Sequence, residues 1–131
     1  MRILLLFFIT TISLAIQAQN LKSGGKLKPE QAIMDIRHYT VVLNVDSDQK
    51  TIDGYTEIDF NLQKSANNLL FDLWHGLTIK QVWVNDKKVS YTHSEDDLVK
   101  IPLQEELAGG KVKVKIAYGG KPGIAERAPW I

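Results

Sequence analysis

Asp35-Ile36-Arg37-His38-Tyr39-Thr40-Val41-Val42-Leu43-Asn44-Val45-Asp46, followed after a polar turn by Thr51-Ile52-Asp53-Gly54-Tyr55-Thr56-Glu57-Ile58-Asp59-Phe60-Asn61-Leu62, decides the fold. Its period is two. Tyr39, Val41, Leu43 and Val45 share one face, with Arg37 in their parity, and Thr40 and Asn44 point the other way. Ile52, Thr56, Ile58, Phe60 and Leu62 share a face opposite Asp53, Tyr55, Glu57, Asp59 and Asn61. Successive side chains of a strand point to opposite sides of a sheet, so alternation over this length predicts half-buried antiparallel strands. The turn Asp46-Ser47-Asp48-Gln49-Lys50 makes the two a long hairpin.

The same period recurs along the rest of the chain. Leu69, Phe71 and Leu73 predict a third strand. Leu77 and Ile79 open a fourth, but Val82 and Val84 have the opposite parity, so a bulge is expected near Lys80-Gln81. Asn85-Asp86-Lys87-Lys88 reads as a tight turn and Val89-Ser90-Tyr91-Thr92 as the return. Leu98, Val99 and Ile101 form a short strand expected to end at Pro102, with Leu103 to Leu107 a turn or an edge. Lys111 to Tyr118 alternates most cleanly: Val112, Val114, Ile116 and Tyr118 against Lys111, Lys113, Lys115 and Ala117. The three lysines then lie on one solvated face. No stretch outside the first residues carries a helical apolar stripe, although Pro29 to Met34 has room for one helical turn. The expected fold is all-β, an antiparallel sandwich or saddle of seven or eight short strands.

Residues 1–18 are set apart. Met1-Arg2, an apolar run from Ile3 to Ile16, and Gln17-Ala18-Gln19 follow the order of a secretory signal peptide, with cleavage expected after Ala18. The run is shorter than the roughly 20 residues that span a bilayer as a helix. An exported protein, periplasmic or extracellular, is the expectation, with membrane contact only through an uncleaved signal. Residues 19–34 read as a linker and approach segment, and 35–131 as the β domain. The chain has no cysteine, so disulfides, thiol nucleophiles and cysteine zinc sites are excluded, and the fold must rest on burial. The net charge of +1 gives no reason to expect a nucleic-acid partner.

Few residues are placed for chemistry. His38, His75 and His93 are not spaced to aim two ligands at one point, and no H-E-x-x-H helix is present. His38 reads as a strand residue, His93 as part of a polar turn, and His75 as lying at a bend between strands. Asp96-Asp97 and Glu105-Glu106 are sequence neighbours that a strand would point apart. No nucleophile elbow or phosphate-cradling loop occurs. No catalytic or metal-binding residue is therefore assigned. Trp74, Trp83 and Trp130 are the candidate interface residues, whether as a sugar-stacking platform or as cover for a neighbouring domain.

The ordered set of motifs resembles a known family. The opening hairpin is similar to the "D-x-x-H-Y-x-L-x-L-x-x-D" and "G-x-x-x-I-x-F" segments of the N-terminal domain of aminopeptidase N family zinc metallopeptidases. Leu69 to Leu73, Leu77 to Asp86 and Val112 to Pro122 are similar to its later strands, the middle one to "L-x-I-x-x-V-x-V-N-G" with Asp86 in place of the glycine. The match covers about residues 35–123. The resemblance implies a β-saddle that caps a catalytic domain holding zinc and a Glu general base, in a parent that removes N-terminal residues from peptides. Those catalytic motifs are absent from this sequence, so the chain alone is expected to be inactive, with zinc, peptide substrate and the docking partner belonging to the missing catalytic domain. Pro129-Trp130-Ile131 is apolar at the chain's end, which fits a chain expected to continue. The alternative is a stand-alone exported β-sandwich that binds carbohydrate or protein.

Overall fold

Alternating sequence becomes two stacked antiparallel sheets in the computed structural model, which describes residues 27–124. The export segment 1–18, linker residues 19–26 and Trp130 lie outside the described residues. The chain opens with one helical turn, α1 (Pro29–Ala32), as the proline at its start suggests. Eight strands follow: β1 (Met34–Asp46), β2 (Thr51–Leu62), β3 (Ala66–Asp72), β4 (Thr78–Val84), β5 (Lys87–Val89), β6 (Thr92–His93), β7 (Leu98–Leu107) and β8 (Gly110–Gly120). The larger sheet has the order β1-β2-β8-β4-β5 and the smaller the order β3-β7-β6. Every pairing is antiparallel.

Inner faces of the two sheets make the core. Ile58, Phe60 and Leu62 of β2, Val112, Val114 and Ile116 of β8, and Val82 and Val84 of β4 meet Leu69, Phe71, Val99 and Ile101 of the smaller sheet. Phe60 and Phe71 cross the gap edge to face, with ring centroids 6.1 Å apart. Such pairs add about 0.5–1.5 kcal/mol to the area they bury. The outer face of the larger sheet is a charge ladder: Lys115 lies 3.3 Å from Glu57 and Lys113 lies 3.7 Å from Asp59. Lysines 113 and 115 thus stand on the solvated face that alternation requires.

β1 and β2 run 13 and 12 residues, the long hairpin that the alternation requires. Three local expectations need correction. β7 does not stop at Pro102 but continues to Leu107. Pro102 is opposite Asn68, beside a register shift in β3, and β6 pairs only as far as Lys100. The proline therefore sits where β7 has a strand on one side only, the place a missing N–H does least harm. The return after the tight turn is not one strand: β5 stays in the larger sheet and β6 crosses to the smaller one, with His93 in the strand and its Nε2 2.8 Å from the Leu73 carbonyl. Leu73 lies just past β3, its amide bonded to the Asp97 carbonyl. The bulge expected near Lys80-Gln81 is present as a shift between Ile79 and Gln81, and it keeps Ile79, Val82 and Val84 all inward.

Candidate docking surface

β1 begins over the core and ends beyond it. Met34 is opposite Leu62 and Ile36 opposite Phe60, so both point inward. Their even numbering would send Tyr39, Val41, Leu43 and Val45 to the outer face. A register shift between Ile36 and His38 makes Arg37 an extra residue and reverses the parity. Tyr39 then faces Ile58, Val41 faces Thr56, Leu43 faces Gly54 and Val45 faces Ile52. All four join the inner face. Arg37, which shares their sequence parity, is instead the exposed bulge residue, ion-paired with Asp35.

The smaller sheet does not extend far enough to cover them. It buries Ile58, Phe60 and Leu62, but Ile52 and Thr56 are only half-buried. Tyr39, Val41, Leu43 and Val45 remain 55%, 56%, 40% and 68% exposed. The Thr56 hydroxyl and the Tyr118 hydroxyl, 2.9 Å apart, mark the border where the dry core ends. A cleft of about 460 Å³ runs inward from this patch, lined by Leu27, Met34, Ile36, Tyr39, Ile58 and Tyr118 among others. A run of aliphatic side chains on one exposed face is what an uncovered interface looks like, whereas single exposed apolar residues are ordinary.

Gly54 lets β1 lie this close to β2. A Cβ there would stand 2.0 Å from the Val42 carbonyl oxygen, a backbone atom that cannot swing away. The open end of the sheet therefore depends on a glycine placed where two strands approach closely.

Of the candidate interface tryptophans, Trp74 and Trp83 lie on different parts of the fold, and Trp130 lies outside the described residues. Trp83 is on the outer face of β4, opposite Lys115 of β8 and Lys88 of β5, with the Lys115 ammonium 5.8 Å from its ring centroid. The same ammonium is 3.7 Å from the Tyr55 ring, so lysine already occupies the space between the two aromatic rings. Trp74 lies in the loop before β4, 40% exposed, its ring against Gly76 and Gly123. No contact joins Trp74 and Trp83 among the described residues, and a two-tryptophan sugar platform is not assembled. Neither tryptophan lies among the uncovered residues of β1.

The histidines are equally dispersed. His38 is on β1 opposite Asp59, and His93 is on β6. His75 is held by Asp97, whose Oδ1 lies 2.7 Å from its Nδ1 and also accepts its backbone N–H at 2.8 Å. Asp97 has a left-handed backbone, φ 64°, and ties the β3–β4 loop to the turn before β7. Among the described residues no group of three His, Asp or Glu side chains can hold a metal ion. What the arrangement can do is bind through apolar area.

No protein-family model matches the sequence, and no curated protein matches it. Solved structures do share its fold. An M1 zinc metallopeptidase from Deinococcus radiodurans superposes with a TM-score of 0.63 at 19% identity, over 76% of this chain and 23% of that one. A mutant form from the same organism, bound to a Tyr-Ser-Ala substrate, gives 0.63 at 18% identity over 73% and 22%. A mutant two-domain M1 zinc metallopeptidase bound to L-arginine gives 0.63 at 18% over 74% and 22%. The chain spans about a fifth of the length of these proteins. Its two stacked sheets are thus a fold that M1 zinc metallopeptidases also contain, the family that the strand motifs resemble.

Proposed function

We infer that this chain is the non-catalytic N-terminal β domain of an exported, zinc-dependent aminopeptidase. The exposed inner face of β1 carries the reading: Tyr39, Val41, Leu43 and Val45 are patterned for burial, and no described residue buries them. The likeness of fold to zinc metallopeptidases supports it, as does the signal-like order of residues 1–18. In this reading a larger catalytic body packs on that face and on the adjoining cleft. Zinc, the general base and the site for the peptide's N-terminus belong to that body. This domain contributes its position, and by covering one side of the catalytic body it keeps bulk water from part of the substrate cavity.

The test is the reading frame. Sequencing the gene and its transcript past the Ile131 codon should reveal an uninterrupted frame that reaches an H-E-x-x-H helix. A stop codon directly after Ile131 in the natural transcript overturns the reading.

A further inference from the structure

The four sheet edges are not alike. One edge of the larger sheet is β5, three residues long and carrying Lys87 and Lys88. One edge of the smaller sheet is β6, two residues long. The other, β3, has α1 packed against it, with the Gln31 amide donating to Asp72 at 2.6 Å. Short strands, lysines and covering elements are how sheets keep their edges from pairing with other chains. β1 lacks all three from Tyr39 to Val45, a stretch without charge, proline, glycine or bulge. It pairs with β2 on one side and with no described strand on the other. Val42, on the outer face between Thr40 and Asn44, is 45% exposed.

We propose that this edge pairs with the same edge of a second copy, antiparallel about a two-fold axis at Val42, joining two five-stranded sheets into one. Self-pairing keeps inner residues opposite inner residues only when the axis passes through a residue rather than between two. An axis at Val42 sets Val41 opposite Leu43, Tyr39 opposite Val45, Thr40 opposite Asn44 and His38 opposite Asp46. Apolar meets apolar, polar meets polar, and each imidazole meets a carboxylate, whose Oδ1 also accepts the Gln49 amide in the turn. An axis at Val41 sets Arg37 opposite Val45, and one at Thr40 sets Arg37 opposite Leu43; both draw the bulge into the pairing. Pairing over residues 38–46 buries on the order of 1,000 Å² in total, the low end for a specific interface. An interface of this size belongs to the weak class, so the dimer is to be sought at micromolar concentrations and above. This inference does not depend on the proposed function, which uses the inner face of the strand and not its backbone edge.

The chain has no cysteine, so one introduced thiol reports cleanly. Val42→Cys places two thiols across the axis within disulfide range, about 4.5–5.5 Å between Cα atoms. Thr40→Cys and Asn44→Cys each lie four residues out of register with their own copies, roughly 13 Å, too far to bridge. On mild oxidation of the purified chain, the Val42→Cys protein should become mostly covalent dimer. The other two should stay mostly monomeric alone and crosslink when mixed. Sedimentation equilibrium of the unaltered chain should show monomer and dimer exchanging between roughly 1 and 200 µM, and Val42→Lys should abolish the dimer. A chain monomeric throughout, crosslinking no faster at 42 than at 40 or 44, or assembly continuing past the dimer overturns the proposal.

Discussion

Asp86 stands where a glycine would be at ease. It and Asn85 have φ of 64° and 48°, the pair of positive values that a two-residue type I′ hairpin needs between Val84 and Lys87. Asn85 is anchored further: its Oδ1 accepts the Lys113 amide at 3.0 Å, and its own amide donates to the Lys113 carbonyl at 2.8 Å. Asp86→Gly should therefore raise unfolding free energy by about 0.5–1 kcal/mol, by relieving a left-handed side chain. Asn85→Ala should lower it by about 1–2 kcal/mol, by orphaning the Lys113 amide and losing turn preference. Urea unfolding of both variants checks the opposite signs. The turn itself was legible because Asn-Asp between apolar runs is a turn signal. Its type was not, because glycine was missing from the second position. The bulge at Lys80-Gln81 was legible because Ile79 and Val82 break parity across it. The one at Arg37 carries the same kind of signal, with Ile36 even and Tyr39 odd, but Arg37 has the parity of the residues after it and so concealed the break. His93 reads as a turn residue because Ser94-Glu95-Asp96-Asp97 beside it is polar. Its cross-strand partner Val99 and its contact with the Leu73 carbonyl are tertiary facts that neighbouring residues do not encode.

Among the elements, β1 carries the functional argument and Gly54 holds it in place. The Val42 carbonyl occupies the volume that a side chain at 54 would need. Gly54→Val should cost roughly 3 kcal/mol or more, because backbone and not a flexible side chain must move. The loss should be local. Hydrogen exchange should quicken over residues 38–46 while β8 amides, flanked by β2 and β4, keep their protection. Uniform quickening across the sheet would place the strain elsewhere. Most strands were legible because one face of each is covered, and half-covered strands alternate. The second half of β7 is hidden in the sequence because proline argues against a strand interior. Only the tertiary pairing shows that its neighbour β6 ends before Pro102. The split of β5 from β6 was hidden for a similar reason: Val89 and Tyr91 keep one parity across the crossing between sheets, and both pack against the core.

As a whole, the molecule is a sandwich with unequal layers. Five strands face three, and the uncovered remainder falls at the β1 end. The alternation of β1 states that one face is apolar; it cannot state how far the second layer reaches, which is set by the lengths of β3, β6 and β7. The sequence therefore leads to the right class of fold, while the exposed face made by Tyr39, Val41, Leu43 and Val45 is visible only in the geometry. Tyr39 on the inner face and Tyr55 on the outer face are opposed probes of the same sheet. Hydroxyl-radical footprinting, read by mass spectrometry at sub-micromolar concentration, should compare this chain with the longer polypeptide expected from the gene. Tyr39 should oxidise rapidly in the chain alone and be strongly protected in the longer polypeptide, with an unchanged rate at Tyr55. Equal oxidation of Tyr39 in both would contradict the claim that this face is built to be covered.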